Sequence, residues 1–376
     1  MRHRRYKERN NYKYLIVLVL AAIVITCFAY PYFYSALLKT DFNPNRLIRV
    51  SGFKDSSQTR REFAVVSGQL ASFQGTALKL QSGDGSTLWQ KEFEIEEPLL
   101  AALDNIIVAA DTEKGTLIGI DLQGSIMWRE TAKGRLIRVG TDRKFVWAVS
   151  RYQQDTMVEV LNDKGESAAY FSVGGAEVFS VSLSADGSYI VFSTAEVKDG
   201  RITGSIVLYN KDGTMEWAKS YRDSLVMRIK ITDEGFIHAL KEDALVCLDM
   251  DGSTKWQRDI NGYISKVLLT NQGVTVLTLS EDYRNGVPGS VREETFIYDK
   301  EGGLQNLPDH RQYIEGLVPG EDCVGVYSAR RLRLIDYSGK AIIDREFDRD
   351  LIAVFLLEDG FMAYISADKI YFESYL

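Results

Sequence analysis

Leu245-Val-Cys-Leu-Asp-Met-Asp-Gly252-Ser-Thr-Lys-Trp256-Gln-Arg258 reads as a strand, a tight turn and a second strand, with a tryptophan four residues after the turn glycine. The same phrase recurs as Gly85 with Trp89, Gly124 with Trp128, and Gly213 with Trp217. Weaker copies carry Gly165, Gly303 and Gly339, with Ala169, Leu307 and Ile343 in the tryptophan slot. Successive turn glycines stand 39, 41, 48, 39, 51 and 36 residues apart. A repeat of about 40 residues built from short alternating strands is the period of a four-stranded propeller blade.

One repeat can be read whole, with strands at 225–231, 236–240, 244–248 and 254–258. Asp84-Gly85, Asp212-Gly213 and Asp251-Gly252 supply its outer turn, because a short hairpin loop needs a residue at positive φ and glycine adopts it without strain. Asp249 and Asp251 belong to this polar hairpin, since no loop carries the run of oxygen ligands that calcium requires. The tryptophans fall on the fourth, outermost strand, where they are expected to wedge between neighbouring blades.

Seven turn glycines mark seven blades. Three more strand-like runs, 351–357, 361–366 and 370–374, follow the last of them without a fourth partner. The run at 46–53 also lacks a sheet of its own. Joining these ends closes a ring and removes two sheet edges. The expectation is therefore an all-β chain of eight four-stranded antiparallel blades over residues 46–376, with seven as the alternative if an end segment is not a strand.

The strand, Asp-Gly and x-x-x-Trp pattern resembles the quinoprotein-type repeat of quinone-dependent alcohol dehydrogenases and of the propeller lipoprotein in the outer-membrane assembly machinery. Val181-Ser-Leu-Ser-Ala-Asp-Gly-Ser-Tyr-Ile-Val-Phe-Ser193 is similar to the Ser-Pro-Asp-Gly turn of TolB-like and WD-type propellers. With its N-terminal segment, the chain resembles membrane-anchored propellers of unknown function from Gram-positive, clostridial-type bacteria. The resemblance covers nearly everything after residue 45 and implies a fold. The quinoprotein enzymes would further imply a quinone stacked on tryptophan, a vicinal cysteine pair and an acid-bound calcium. Here no two cysteines are adjacent and the tryptophans lie on outer strands, so no quinone, metal or other cofactor is expected.

Residues 14–38 contain no charged side chain, enough to cross a bilayer, which takes about 20 residues. Residues 1–13 form a basic tail of six Lys/Arg against one Glu, which should stay cytoplasmic. A linker at 39–45 then leads to a propeller expected outside the plasma membrane. Signal-peptide cleavage and acylation at Cys27 are the alternatives, and both leave the domain on that same side. The net charge is −7, and the basic tail contributes +5 of it, so the remainder carries −12, which argues against a nucleic-acid partner. Cys27, Cys247 and Cys323 show no zinc spacing; a Cys247–Cys323 bridge stays open but disfavoured.

No Gly-x-Ser-x-Gly elbow and no phosphate loop occurs. His238 sits within a strand and reads as a packed or hydrogen-bonded residue, while His310 lies in a polar connection. The extra length of blades four and six falls between their second and third strands, at Thr194–Gly204 and Glu281–Glu294, with a shorter excess at 151–155. Such loops share a face with the crossovers between blades, and binding usually resides on loops held by a rigid scaffold. Tyr152, Arg201, Tyr283, Arg284 and Arg292 are the aromatic and arginine anchors offered there. The expectation is a non-enzymatic, membrane-anchored binding module that meets an envelope protein or wall component through this face. The alternative is an envelope hydrolase working through carboxylates near the ring axis.

Overall fold

The computed structural model describes residues 47–52, 61–198, 200–280, 293–305, 313–367 and 369–375. The expected tail, anchor and linker, together with Tyr283, Arg284, Arg292 and His310, lie outside the described residues. Thirty-two strands form eight four-stranded antiparallel sheets among them. Seven sheets use four consecutive strands each. The eighth takes β30 (Ala353–Leu356), β31 (Phe361–Ser366) and β32 (Lys369–Ser374) from one end of the ring and β1 (Leu47–Gly52) from the other. β1 lies antiparallel to β32 as the outermost strand, so the ring has eight blades and closes as the unpaired end strands required.

The core is divided among wedges between neighbouring blades. Between blades four and five, for instance, Val191, Ile206 and Leu208 meet Val226, Ile229, Ile237 and Val246. The closing wedge is as well filled. Leu70 of blade one packs with Ala363, Ile365 and Phe372 of blade eight, and the Phe63 and Phe355 rings stand 5.5 Å apart.

The repeat phrase has a mechanical meaning. In blade five the Gly252 N–H donates to Asp249 O at 2.9 Å, Gly252 takes φ +85°, and the pairing slips by one residue between Cys247 and Leu248. That is a tight turn followed by a bulge, which only a residue at ease with positive φ completes cheaply. The missing Cβ has a second use. Trp217, on the outer strand of blade four, lays its ring on Gly252 and donates its Nε1–H to Met250 O at 2.7 Å. Trp89 does the same to Leu122 O beside Gly124, Trp128 to Asp163 O beside Gly165, and Trp256 to Lys300 O beside Gly302. Each tryptophan therefore clamps its blade to the turn of the next one. Where Ala169 replaces the tryptophan, the next turn glycine, Gly213, has nothing among the described residues within 4 Å of its would-be Cβ.

Blade six departs from the sequence reading by one residue. Its turn glycine is Gly302, at φ +77° and donating to Asp299 O, not Gly303. In a Gly-Gly pair either residue can take the left-handed conformation, and contact with Trp256 selects the first. The tryptophan slot thus moves one place ahead of Leu307, outside the described residues. Cys247 and Cys323 are free thiols. His238 is packed edge-on against Trp256, 5.1 Å between ring centres, and neither ring nitrogen reaches a hydrogen-bond partner among the described residues.

Candidate functional site

Each blade is an up-and-down meander, so its second-to-third hairpin and its exit crossover end on one face of the ring, opposite the Asp-Gly turns. Backbone bonds tie the two together: Ala132 N–H donates to Gly115 O at 2.8 Å, Gly204 N–H to Ser224 O at 3.0 Å, and Phe347 N–H to Arg330 O at 2.8 Å. This is the crossover face, and it carries the candidate interaction residues that fall within the described chain.

The segment Thr194–Gly204 is not a loop on that face. It is the projecting end of a ribbon formed by β15 (Tyr189–Lys198) and β16 (Arg201–Asn210), in register through to Lys198 opposite Arg201. The inner strand of the blade, β14 (Glu177–Leu183), stops pairing at Ala195, and β17 (Met215–Arg222) stops at Thr203. Beyond those points Asp223 N–H still donates to Ile202 O at 2.8 Å, and the end of the ribbon projects past that bond. Val197 and Ile202 face each other across it, 76% and 44% exposed. A paired apolar tip on a projecting ribbon is costly surface to leave in water, since each apolar Å² removed from it is worth about 25 cal/mol. The sequence held the signal: apolar residues alternate through this stretch around an Asp-Gly pair, the pattern of a hairpin. Likewise the shorter excess at 151–155 is a two-residue hairpin between β11 (Phe145–Tyr152) and β12 (Asp155–Leu161), with Gln153 at φ +55°.

Arg201 lies at the base of the ribbon turn and pairs with Asp223 at 3.5 Å, both well exposed. Such a pair contributes little to stability and leaves the guanidinium available. Tyr152 sits in the neighbouring blade at the tip of its hairpin, 39% exposed, with Lys133 Nζ 4.7 Å from the ring centre. Beneath it Arg151 is paired with Glu177 at the start of β14, which fixes this hairpin against blade four. Tyr152 and Arg201 thus share one face on adjacent blades.

On the opposite face the inner strands are locked by ions. Asp142, at the end of β10 (Arg135–Asp142), is buried and accepts hydrogen bonds from Ser182 Oγ at 2.6 Å and Leu183 N–H at 2.9 Å. Lys230 on β18 (Val226–Ile231) pairs with the other Asp142 oxygen at 2.5 Å, and Arg143 pairs with Asp233. These carboxylates tie blades three, four and five together, and both Asp142 oxygens are engaged. A cavity of about 400 Å³ opens among the turns of that face, beside Asp104, Asp121, Met127 and Asp163. Asp121 in it accepts the Gln123 and Ser125 N–H groups of its own turn. Asp251 similarly accepts Ser253 N–H, and no group of three potential metal ligands forms among the described residues.

Ring, wedges and turn clamps define an eight-bladed β-propeller. Residues 40–371 match the model of a family of unknown function, DUF5711, and the chain belongs to that family. No curated protein matches it in sequence. Among solved structures it is similar to BamB from Moraxella catarrhalis, with 13% identity and a TM-score of 0.53 over 87% of this chain and 100% of that one. It is also similar to Sqt1 of Saccharomyces cerevisiae, with 10% identity and a TM-score of 0.59 over 86% of this chain and 97% of that one. At such identities the likeness extends to the fold.

Proposed function

We propose that this protein is a non-enzymatic binding module, anchored in the plasma membrane by residues 14–38, that holds an envelope protein on the crossover face of an extracytoplasmic propeller. The observation that carries the reading is the exposed apolar pair Val197 and Ile202 at the end of a projecting ribbon, beside Arg201 and on the same face as Tyr152 of the adjacent blade. Apolar anchors ringed by arginine and tyrosine are what protein interfaces concentrate at their centres. A wall polymer would instead be met by polar groups, which makes a protein the better fit for this tip. The uncharged run at 14–38 and the basic tail before it support the anchor and its orientation.

The ribbon can be trimmed back to the sheet, because Ala195 stands opposite Gly204; the loss is confined to the Thr203–Arg222 pair and the bond from Asp223 N–H to Ile202 O. Replacing residues 196–203 with Asn-Gly would close the hairpin at that pair. Membranes washed with alkaline carbonate should retain the full chain, and affinity capture from them should recover a protein partner that the trimmed chain loses. Equal recovery by both would refute the ribbon as the docking element, and release of the chain by the wash would refute the anchor.

A further inference from the structure

The inner strands carry a pattern that follows from register rather than from sequence. Counting across each sheet from its outer turn, Arg138, Ser180, Arg228 and Lys266 occupy the same level in blades three to six. Each is the residue after a slip in the pairing of first and second strands: Leu136/Arg138, Val178/Ser180, Val226/Arg228 and Ile264/Lys266. The corresponding positions in blades two, seven and eight are neutral: Leu99, Gly316 and Ala353. Glu62 is the level's carboxylate, in blade one, across the ring from Arg228. Three cations therefore share one arc of the inner wall in a domain that is otherwise strongly acidic.

The cations nearer the Asp-Gly face are neutralised, Lys230 by Asp142 and Arg143 by Asp233. Those of this arc are not. Arg138 donates both terminal nitrogens to backbone carbonyls, those of Phe179 and Val178. Arg228, an exposed side chain, donates to its neighbour Met227 O, and Lys266 rests with Nζ 5.9 Å from the Tyr313 ring centre. Neither has a carboxylate partner among the described residues. Burial, and then the charge of Arg228, lower the Arg138 pKa, while Glu177 opposes them, itself engaged by Arg151. Bringing like charges together without a counter-charge is unfavourable, and an anion between them relieves it. Ser180 is committed to the Ile229 backbone and serves to lock β14 to β18.

We propose that Arg138, Arg228 and Lys266 form an oxyanion site on the inner wall of the propeller, suited to a phosphoryl group of more than one negative charge. The exposed Arg228 guanidinium matches the forked geometry of phosphate oxygens, the Lys266 ammonium adds a second charge, and Arg138, its terminal nitrogens held by backbone carbonyls, adds a third as fixed field. The site is separate from the ribbon tip, and its failure would leave the protein-docking reading untouched.

The test uses the full chain in detergent, with inorganic pyrophosphate as a soluble probe and vesicles of neutral lipid with and without phosphatidate as a bound one. Chloride at equal ionic strength is the control. Calorimetric titration should show saturable pyrophosphate binding that Arg228→Gln and Lys266→Gln each weaken about tenfold or more, and the double variant abolishes. Arg228→Lys with Lys266→Arg preserves both charges and should keep most of the affinity. Among the described residues these two side chains make no hydrogen bond to another blade, so the variants should melt with the wild type. Vesicle binding that depends on phosphatidate and on the same two residues would assign the phosphoryl group to a lipid and also support the site. Binding of neither probe, or binding unchanged in the double variant, would overturn it.

Discussion

Replacing Gly165 with alanine should destabilise the ring far more than the same change at Gly213, although both are outer-turn glycines, at φ +81° and +80°. A left-handed alanine costs about 1–2 kcal/mol, and that term is common to both. At Gly213 nothing lies within 4 Å of the new methyl group, so the backbone term is the whole effect. At Gly165 the methyl would sit 2.7 Å from the ring of Trp128, which is 7% exposed and donates to Asp163 O at 3.0 Å. The tryptophan must leave its seat. That loses a hydrogen bond worth about 1 kcal/mol and re-exposes part of a side chain whose burial is worth about 1.5–3 kcal/mol. Gly165→Ala should then cost about 3–5 kcal/mol. With about 2.1 cal/mol/K of unfolding entropy per residue, the two variants should differ by about 3–4 °C in melting midpoint. Scanning calorimetry on both at one scan rate measures this. Midpoints within about 1 °C of each other would refute the tryptophan clamp as the reason for glycine at this turn.

His238 is 1% exposed, and burial pushes its pKa down from 6.5 to about 4, with Glu234 opposing the shift. The folded chain holds it neutral while the unfolded chain protonates below about pH 6.5, so stability present above that pH is lost on acidification toward pH 4. The loss should approach about 3 kcal/mol, and His238→Leu should flatten that part of a urea-midpoint profile; an unchanged slope would show that the buried imidazole is not responsible. Arg345 and Glu373, 2% and 1% exposed, form a buried pair that Tyr364 completes by donating its hydroxyl to Glu373 at 2.7 Å. Glu373→Gln should cost about 3–5 kcal/mol in urea denaturation by stranding the guanidinium, and Arg345→Met combined with Glu373→Leu should recover most of it. A double variant no more stable than the single one would argue against that account.

Local chemistry made much of this architecture legible in the chain. Asp-Gly pairs announce turns because few other residues accept positive φ, and a tryptophan four residues on marks the outer strand. The blade count followed from the two end segments that lacked partners, since an unpaired strand edge is not a stable end state. The sequence points to Gly303 as the turn of blade six, one position late, because Gly302 and Gly303 are equally permissive and a contact from the preceding blade chooses between them. By length alone residues 194–204 read as an insertion loop, whereas the alternation within them specifies the ribbon. The inner-wall cations are a different matter. Arg138, Arg228 and Lys266 are far apart in the chain, and no pattern at that distance links them.

Sequence alone determined the repeat, its turns and the ring they build, since each depends on the conformational preferences of short stretches. Tertiary structure decided which tryptophan seats on which glycine, which apolar residues meet at the ribbon tip and which charges share one level of the inner wall. Those outcomes depend on register across strands and on contact between blades. A bulge of one residue is enough to move a side chain from one level to another, and nothing in the composition of a strand fixes where that bulge falls.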